Sequence, residues 1–156
     1  MRLSVASGIF LVLLSSILVP PSALGVSIND SFELDSAGLA DLEARAEHAQ
    51  PNEQAYLFTQ LVSDYVDVAG KQVAAGEMDE ATASLQHIQS FADRIHAGLG
   101  KNSKRIKNAE MLMHMATYKL TQLMHFISTE DSTMLQATLK RLDKLHDELL
   151  QQVFAH

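Results

Sequence analysis

Apolar residues recur at alternating three- and four-residue steps from about residue 36 to the end of the chain. This spacing is typical of amphipathic helices that bury one side. Alternating runs of Val, Ile and Thr, and Asn-Gly turns, would indicate strands and hairpins, and the sequence has neither. The chain is therefore expected to fold by packing helix against helix.

Proline and glycine residues divide this pattern into five predicted helices. Pro51 stands where a first-turn proline belongs and opens the second helix. Gly76 is expected in the position just past the last turn of that helix, and Gly98 and Gly100 end the third. Residues 128–131 resemble a capping box that starts the fifth helix. The predicted helices cover about 36–49, 51–75, 78–97, 104–127 and 128 to the chain end.

The long helices are joined by short links, which favour antiparallel neighbours, and their three-four spacing matches bundle packing. We predict an all-α, up-down-up-down four-helix bundle with a short extra N-terminal helix. In such a bundle the third and fifth helices should lie on a diagonal. The expected core residues are Leu39, Leu42, Ala46 and Ala49; Phe58, Val62, Tyr65, Ala69 and Val73; Ala81, Leu85, Ile88, Ala92, Ile95 and Leu99; Ile106, Ala109, Met113, Ala116, Leu120, Leu123 and Ile127; and Leu135, Thr138, Leu142, Leu145 and Leu149.

A second architecture is open. The segment 76–81, Gly-Glu-Met-Asp-Glu-Ala, together with Leu85, resembles the turn and second helix of a tetratricopeptide repeat. That resemblance implies a short TPR-like array of helical hairpins. It covers one half-repeat, and the predicted helices are long for a period of about 34 residues. The bundle is therefore the preferred prediction.

The N-terminus has the three parts of a secretory signal peptide. Arg2 provides a positive charge, residues 8–19 are apolar, and Ala23 and Gly25 are small residues suited to signal peptidase. The alternative is an uncleaved membrane anchor, but the apolar run is well short of the roughly 20 residues that span a bilayer. We predict a signal peptide over 1–25, a flexible lead-in over 26–35 and one helical-bundle domain over 36–156.

The composition limits the compartment and the partners. The chain has no cysteine, which excludes a lipoprotein anchor and favours a bacterial periplasmic or secreted protein over a eukaryotic exported domain, where disulfides are common. Without Arg2, 11 basic residues face 19 acidic ones, a net charge of 11 − 19 = −8. Nucleic-acid binding needs a basic surface, so it is not expected. No later segment is apolar enough to predict a transmembrane segment in the mature chain.

Catalytic motifs are absent from the sequence. It contains no G-x-S-x-G, no H-E-x-x-H, no phosphate-binding glycine loop and no thiol nucleophile. No catalytic residue or cofactor is therefore assigned. We expect a non-enzymatic protein that binds another macromolecule, a protein or an anionic component of the envelope.

The stretch Met111-Leu-Met-His-Met115 carries the candidate metal ligands. Met111, His114 and Met115 can share one helical turn, on the side opposite Met113. Thioether and imidazole ligands suit Cu(I), so the alternative function is a periplasmic copper-binding bundle. The simpler interpretation is that the methionines fill gaps in the core.

Three helices each carry a carboxylate followed by a histidine three or four residues later. The spacing is similar to that of carboxylate-metal sites in helical bundles. The bundle geometry does not bring all six residues together, and ordinary salt bridges between helices explain them equally well. One pair is expected to meet across a seam, His96 with Glu110 or Glu110 with His146. The three pairs are Asp93 and His96, Glu110 and His114, and Asp143 and His146.

Haem is a further alternative. His96 lies near the end of a helix that begins Gly76-x-x-x-Glu80-Ala81, and this spacing resembles the final helix of periplasmic four-helix b-type cytochromes. The resemblance implies that His96 is an axial ligand. It covers only residues 50–97, and the helices that would bring a second ligand are missing.

Four of the mature chain's basic residues lie within seven positions: Lys101, Lys104, Arg105 and Lys107. They stand at the start of a predicted helix, where the dipole favours anions and disfavours cations. An anionic group on a partner would relieve this conflict. A solvated turn beside the end of the preceding helix is the other interpretation.

Overall fold

The computed structural model describes residues 36–100, 103–128 and 132–155, and these contain helices and no strand. The all-α prediction is confirmed. None of the described helices is both long and apolar enough to cross a membrane. The predicted signal peptide and lead-in, residues 1–35, lie outside the described residues. The helices are α1 (Ser36–His48), α2 (Pro51–Ala75), α3 (Met78–Gly98), α4 (Ile106–Leu123) and α5 (Ser132–Phe154).

The glycine and proline boundaries of α2 are confirmed. Pro51 is its first residue, and Gly76 follows it with φ 77° and ψ 14°, a left-handed conformation. The amide of Glu77 donates to the carbonyl of Gln72 at 2.9 Å, and that of Gly76 donates to Val73 at 3.1 Å. These two bonds are the Schellman pattern, which satisfies carbonyls that the helix itself leaves unpaired.

The end of α4 differs from the prediction. The helix stops at Leu123 rather than about 127, because the amides of His125 and Phe126 bond three residues back, to Gln122 and Leu123. Such tight turns commonly close a helix. Of the predicted capping box, residues 129–131 lie outside the described residues, and α5 begins at Ser132.

The lateral order of the helices corrects one expectation. α2 packs on α3 and α4, α5 packs on the same two helices, and α1 packs on α2. The order around the bundle is therefore α2, α3, α5, α4, and the expected diagonal of α3 with α5 is wrong. The reason lies in the link between α3 and α4, where the amide of Lys104 donates to the carbonyl of Asn52 at 2.7 Å. This bond places the start of α4 beside the start of α2.

The bundle consists of two helical hairpins, α2–α3 and α4–α5, that lie side by side. In this arrangement α2 is parallel to α4, and α3 is parallel to α5. Lys119 Nζ donates to Asp67 at 2.5 Å, and His96 Nδ1 donates to Glu148 at 2.6 Å; both pairs are 52 residues apart in sequence. The TPR-like alternative also places like helices side by side, but with a period of about 34 residues. The helices are too long for that period, and the predicted bundle is confirmed.

All five helices contribute to one hydrophobic core. The predicted stripes are buried through their middle turns except at Tyr65 of α2, which is half-buried, as are residues near the stripe ends such as Val73 and Ile127. The prediction missed Tyr56, Val66 and Phe91, which are buried. α2 contacts three helices, so a wider arc of its surface is covered than a single stripe indicates.

Two buried threonines satisfy their hydroxyl groups within their own helices. Thr59 donates to the carbonyl of Ala55, and Thr138 donates to that of Met134, both at 2.8 Å. Thr138 also accepts a hydrogen bond from Gln89 Nε2 across the α3–α5 seam at 2.7 Å. A buried hydroxyl needs such partners, since leaving it unpaired costs about 1–3 kcal/mol.

Substitution of two glycines by alanine tests the helix boundary at Gly76. A Cβ at Gly76 would meet nothing within 4 Å, so Gly76→Ala should lower the free energy of unfolding by about 1 kcal/mol through the left-handed backbone alone. Gly70 lies inside α2, where a Cβ would make ordinary contact with Leu123 at 3.7 Å. Gly70→Ala should therefore raise the free energy by about 0.5–1 kcal/mol. Urea denaturation measures both changes, and a neutral Gly76→Ala would contradict the left-handed cap.

Candidate functional site

The outer face of α4 carries three large apolar side chains in solvent. Met111, Met115 and Tyr118 are 57%, 47% and 59% exposed, whereas Met113 between them is completely buried. Steps of four and three residues put the exposed three on one side of the helix, opposite the core. The sequence placed Met111 and Met115 opposite Met113, as observed, but the simpler interpretation, that the methionines fill gaps in the core, is wrong for Met111 and Met115. Gap filling in the core therefore explains Met113 and does not explain Met111 or Met115.

His114 lies beside the outer face of α4 and next to the seam with α5. Its ring centroid is 5.3 Å from that of His146, and His146 Nε2 donates to Glu110 Oε1 at 2.9 Å. The side chains of His146 and Glu110 are about three-quarters or more buried. One of the two contacts expected across a seam, Glu110 with His146, is therefore confirmed.

The other carboxylate–histidine pairs lie elsewhere. Asp93 forms an ion pair with Arg141, and His96 pairs with Glu148, both between α3 and α5. Within the described residues, no three His, Cys, Asp or Glu side chains converge closely enough to hold a metal ion. Ion pairs along the helix flanks engage Asp93, His96, Glu110 and His146, whereas Asp143 is exposed and joins none of these pairs.

The candidate haem ligand His96 lies at the surface. Its side chain is 65% exposed and its Nδ1 is engaged by Glu148. No histidine in the described residues is buried in the core. A haem held between the helices would need an imidazole directed inward, and His96 does not provide one.

Lys104 and Arg105 lie in a basic cleft with a volume of about 490 Å³, where the end of α1 meets the starts of α2 and α4. Of the other two predicted basic residues, Lys107 is exposed and does not line the cleft, and Lys101 lies outside the described residues. The cleft is lined by Arg45, His48, Ala49, Glu53, Tyr56, Leu57, Lys104 and Arg105.

Arg105 is fixed by its backbone and by an aromatic contact. Its φ and ψ of 58° and 29° are left-handed, an uncommon conformation for a residue with a Cβ. Its guanidinium carbon lies 3.8 Å from the centroid of the Tyr56 ring. Tyr56 is itself buried in the core. This cation–π contact holds the guanidinium plane against a rigid support.

Lys104 and His48 of the basic cleft each form a hydrogen bond within the protein. Lys104 Nζ donates to Glu53 at 3.1 Å. His48 Nδ1 donates to the carbonyl of Ala44 at 2.8 Å, which leaves Nε2 as the ring nitrogen available to a ligand. Sequence reasoning missed Arg45 and His48 because they belong to a different helix, more than fifty residues before Lys104 and Arg105. Only the packing of α4 beside α2 brings the two segments together.

One carboxylate among the described residues has a strongly shifted pKa. Burial raises the pKa of Asp64 from 3.8 to about 6; the negative charge of Asp67 adds to the rise, and Lys119 opposes it. Burial also raises the pKa of Tyr65, with Glu43 contributing. Asp64 does not line the basic cleft, so its shift reflects packing on α2 rather than a role in binding there.

The shift at Asp64 predicts a pH-dependent effect of Asp64→Asn. Because the folded pKa lies above the unfolded value, the fold favours the protonated carboxyl, and this contribution is lost as pH rises from about 4 through 6. At pH 7.5 the substitution should raise the free energy of unfolding by about 1 kcal/mol, after allowance for solvent screening of a half-buried group. At pH 4 the gain should disappear.

Urea denaturation at both pH values tests this effect of Asp64→Asn. Asp147→Asn is a matched control, because Asp147 is exposed on α5. It should change the free energy of unfolding by less than about 0.5 kcal/mol at either pH. A pH-independent gain in Asp64→Asn would contradict the assigned pKa shift.

Comparison with protein-family models, with curated proteins and with solved structures gives no match for this chain. The outer face of α4 and the basic cleft are the two candidate binding surfaces of the described residues.

Proposed function

We propose that this chain is a non-enzymatic binding protein of the bacterial envelope that holds a macromolecular partner through the outer face of α4. The observation that carries the proposal is the exposure of Met111, Met115 and Tyr118 on one side of one helix. Large apolar side chains grouped in solvent are typical of surfaces that bind a partner.

The chemistry of these side chains suits a protein partner. Methionine is unbranched and flexible, so it adapts to irregular apolar surfaces. Tyrosine combines a large apolar ring with a hydroxyl and is enriched at the centres of protein interfaces. Anchors at positions i, i+4 and i+7 are the arrangement by which helices dock in apolar grooves. Phe126, which is 77% exposed just beyond the end of α4, offers one more aromatic side chain.

Export to the periplasm, or beyond it, forms part of the same proposal. It rests on the signal-peptide pattern of residues 1–25 and on the absence of cysteine from the sequence. The net charge of −8 after removal of those residues supports dispersal in an aqueous compartment. In this proposal the partner is another component of the envelope.

Photo-crosslinking in bacteria tests the contact face. With a benzophenone side chain at Met115, illumination should attach the chain, recovered from the periplasm without residues 1–25, to one discrete partner. Introducing Met111→Glu into the same chain should abolish the adduct, because a carboxylate would have to be buried in the apolar contact. The matched control places the benzophenone at Gln86, which is exposed on α3.

The control at Gln86 should give no adduct with that partner. The same adduct from both positions would contradict binding through the outer face of α4. Retention of the chain in the cytoplasm at full length would contradict export.

Copper binding is a second candidate function, favoured by the exposure of both candidate thioethers. Met111 and Met115 are four residues apart in solvent, and His114 lies between them in sequence. The ring of His146, 5.3 Å from His114, brings a second imidazole near the site. Two thioethers with imidazole are a ligand set suited to Cu(I). The other alternative, haem, has no comparable support, since His96 is engaged by Glu148 at the surface.

Replacing both methionines by leucine separates the two candidate functions. Met111→Leu with Met115→Leu keeps the volume and apolar character of the outer face but removes its sulfur ligands. If the site binds copper, this variant should lose Cu(I) in competition with a chromogenic chelator. Met134→Leu, on α5, should retain it. If the face binds a protein, crosslinking from a benzophenone at Tyr118 should persist in the double variant. Equal Cu(I) affinity in the double variant and the native chain would contradict the copper site.

A further inference from the structure

The basic cleft brings together cations from two segments that are distant in sequence. Arg45 and His48 come from the last turn of α1, and Lys104 and Arg105 come from the segment that leads into α4. With His48 neutral, the described residues that line the cleft carry three positive charges and the carboxylate of Glu53, a charge of 3 − 1 = +2 for the lining itself; Asp41, which lies outside the lining, is 4.0 Å from Arg45. The complete chain has a net charge of −7, so the charge of the basic cleft is opposite in sign to that of the protein as a whole.

We infer that this cleft binds a phosphate monoester. The inference is independent of the contact proposed for the outer face of α4. A phosphate monoester carries about −1.5 to −2 charge at neutral pH, which matches the local charge of the cleft. A single carboxylate would leave about one positive charge unmatched, since it carries one negative charge when ionised.

Arg105 is the residue placed best to bind the phosphate oxygens. Its guanidinium stacks on the buried ring of Tyr56, so the orientation of its plane is set before a ligand arrives. No carboxylate pairs with Arg105 among the described residues. The N–H groups at its edge remain available to bind two oxygens at once, the geometry that arginine forms with phosphate.

The other charged groups of the cleft act in two ways. Arg45 lies 4.0 Å from Asp41, one turn earlier on α1, and both are more than half exposed. Such a loose pair contributes little and leaves the guanidinium able to turn to a stronger anion. Lys104 is held by Glu53 at 3.1 Å, so it adds positive potential more than direct bonds. His48 Nε2 supplies a further donor when the ring is protonated.

The shape of the cleft indicates that the phosphate is attached to an organic group. Its volume of about 490 Å³ lies within the range of small-molecule pockets, about 300–1,000 Å³. Ala49 and Leu57, both half-buried, provide apolar surface beside the cations. A free inorganic phosphate would leave this surface uncovered, whereas a compact apolar group on the ester would cover it. We therefore expect phenyl phosphate to bind more tightly than inorganic phosphate.

Isothermal titration calorimetry of the purified protein with phenyl phosphate tests the site. Removing a charged hydrogen-bonding group that contacts the ligand should weaken binding about tenfold or more, so Arg105→Gln should have this effect. Arg45→Gln should weaken binding in the same direction, and it serves as the second variant because Arg45 is exposed on α1 and contributes nothing to the core. Lys107→Gln is the matched control: it removes an equal charge two residues from Arg105, outside the cleft, and it should leave the affinity within about twofold of the native value.

Two results would overturn the inference. One is the absence of saturable binding of phenyl phosphate to the native protein. The other is an equal loss of affinity in Arg105→Gln, Arg45→Gln and Lys107→Gln, since this would reduce the effect to general electrostatic attraction. Circular dichroism of each variant establishes that its helices are retained.

Vesicles identify the source of the ester. Phosphatidic acid carries a phosphate monoester in its head group, so co-sedimentation of the protein with phosphatidic acid vesicles, weakened by Arg105→Gln and not by Lys107→Gln, would support a lipid ligand. Binding of phenyl phosphate with no co-sedimentation would support a small dissolved ester. Co-sedimentation that all three variants share, without binding of phenyl phosphate, would overturn the phosphate site.

Discussion

The hydrogen bond from the amide of Lys104 to the carbonyl of Asn52 joins the starts of α4 and α2. Because the link from α3 is short, α4 could have begun beside the end of α3. This bond instead ties it to the neighbouring hairpin, and among the described residues α3 and α4 do not pack side by side. The parallel arrangement of α2 with α4, and of α3 with α5, follows from this attachment. Further along the same two helices, Lys119 of α4 forms an ion pair with Asp67 of α2.

The same attachment creates the two surfaces with functional potential. It brings Lys104 and Arg105 to the end of α1, where Arg45 and His48 complete the basic cleft. Among the described residues α4 packs only on α2 and α5, so its outer face is exposed there. The packing of α4 beside α2 therefore produces both the basic cleft at the end of the bundle and the exposed apolar face along its side.

Local chemistry made much of the fold predictable from the sequence. As expected, α2 begins at Pro51 and ends just before Gly76. Proline fixes φ and glycine tolerates the left-handed conformation, and both effects are independent of tertiary context. The apolar stripes identified most of the core, since burial follows helical period. The same period put Met111 and Met115 on the side of α4 opposite the buried Met113, but it did not show that this side is exposed, and core filling was the simpler interpretation of all three methionines.

The lateral order of the helices was not predictable in this way. An apolar stripe records that a helix is covered but not which helix covers it, so the adjacency of α3 and α5 was missed. The contact of His96 with Glu148 and the convergence of Arg45 with Arg105 depend on that order and were missed with it. Glu110 and His146 were foreseen because α4 and α5 form a hairpin, whose helices are adjacent in either arrangement.

Amide hydrogen exchange at Lys104, followed by NMR, tests this account most directly. Lys104 precedes the first residue of α4, so helix formation alone does not protect its amide. If the amide is bonded to the carbonyl of Asn52, its exchange should be slower than in an unstructured peptide by about a hundredfold or more. Exchange at the rate of an unstructured chain would contradict the attachment of α4 to α2, and with it the origin of the basic cleft.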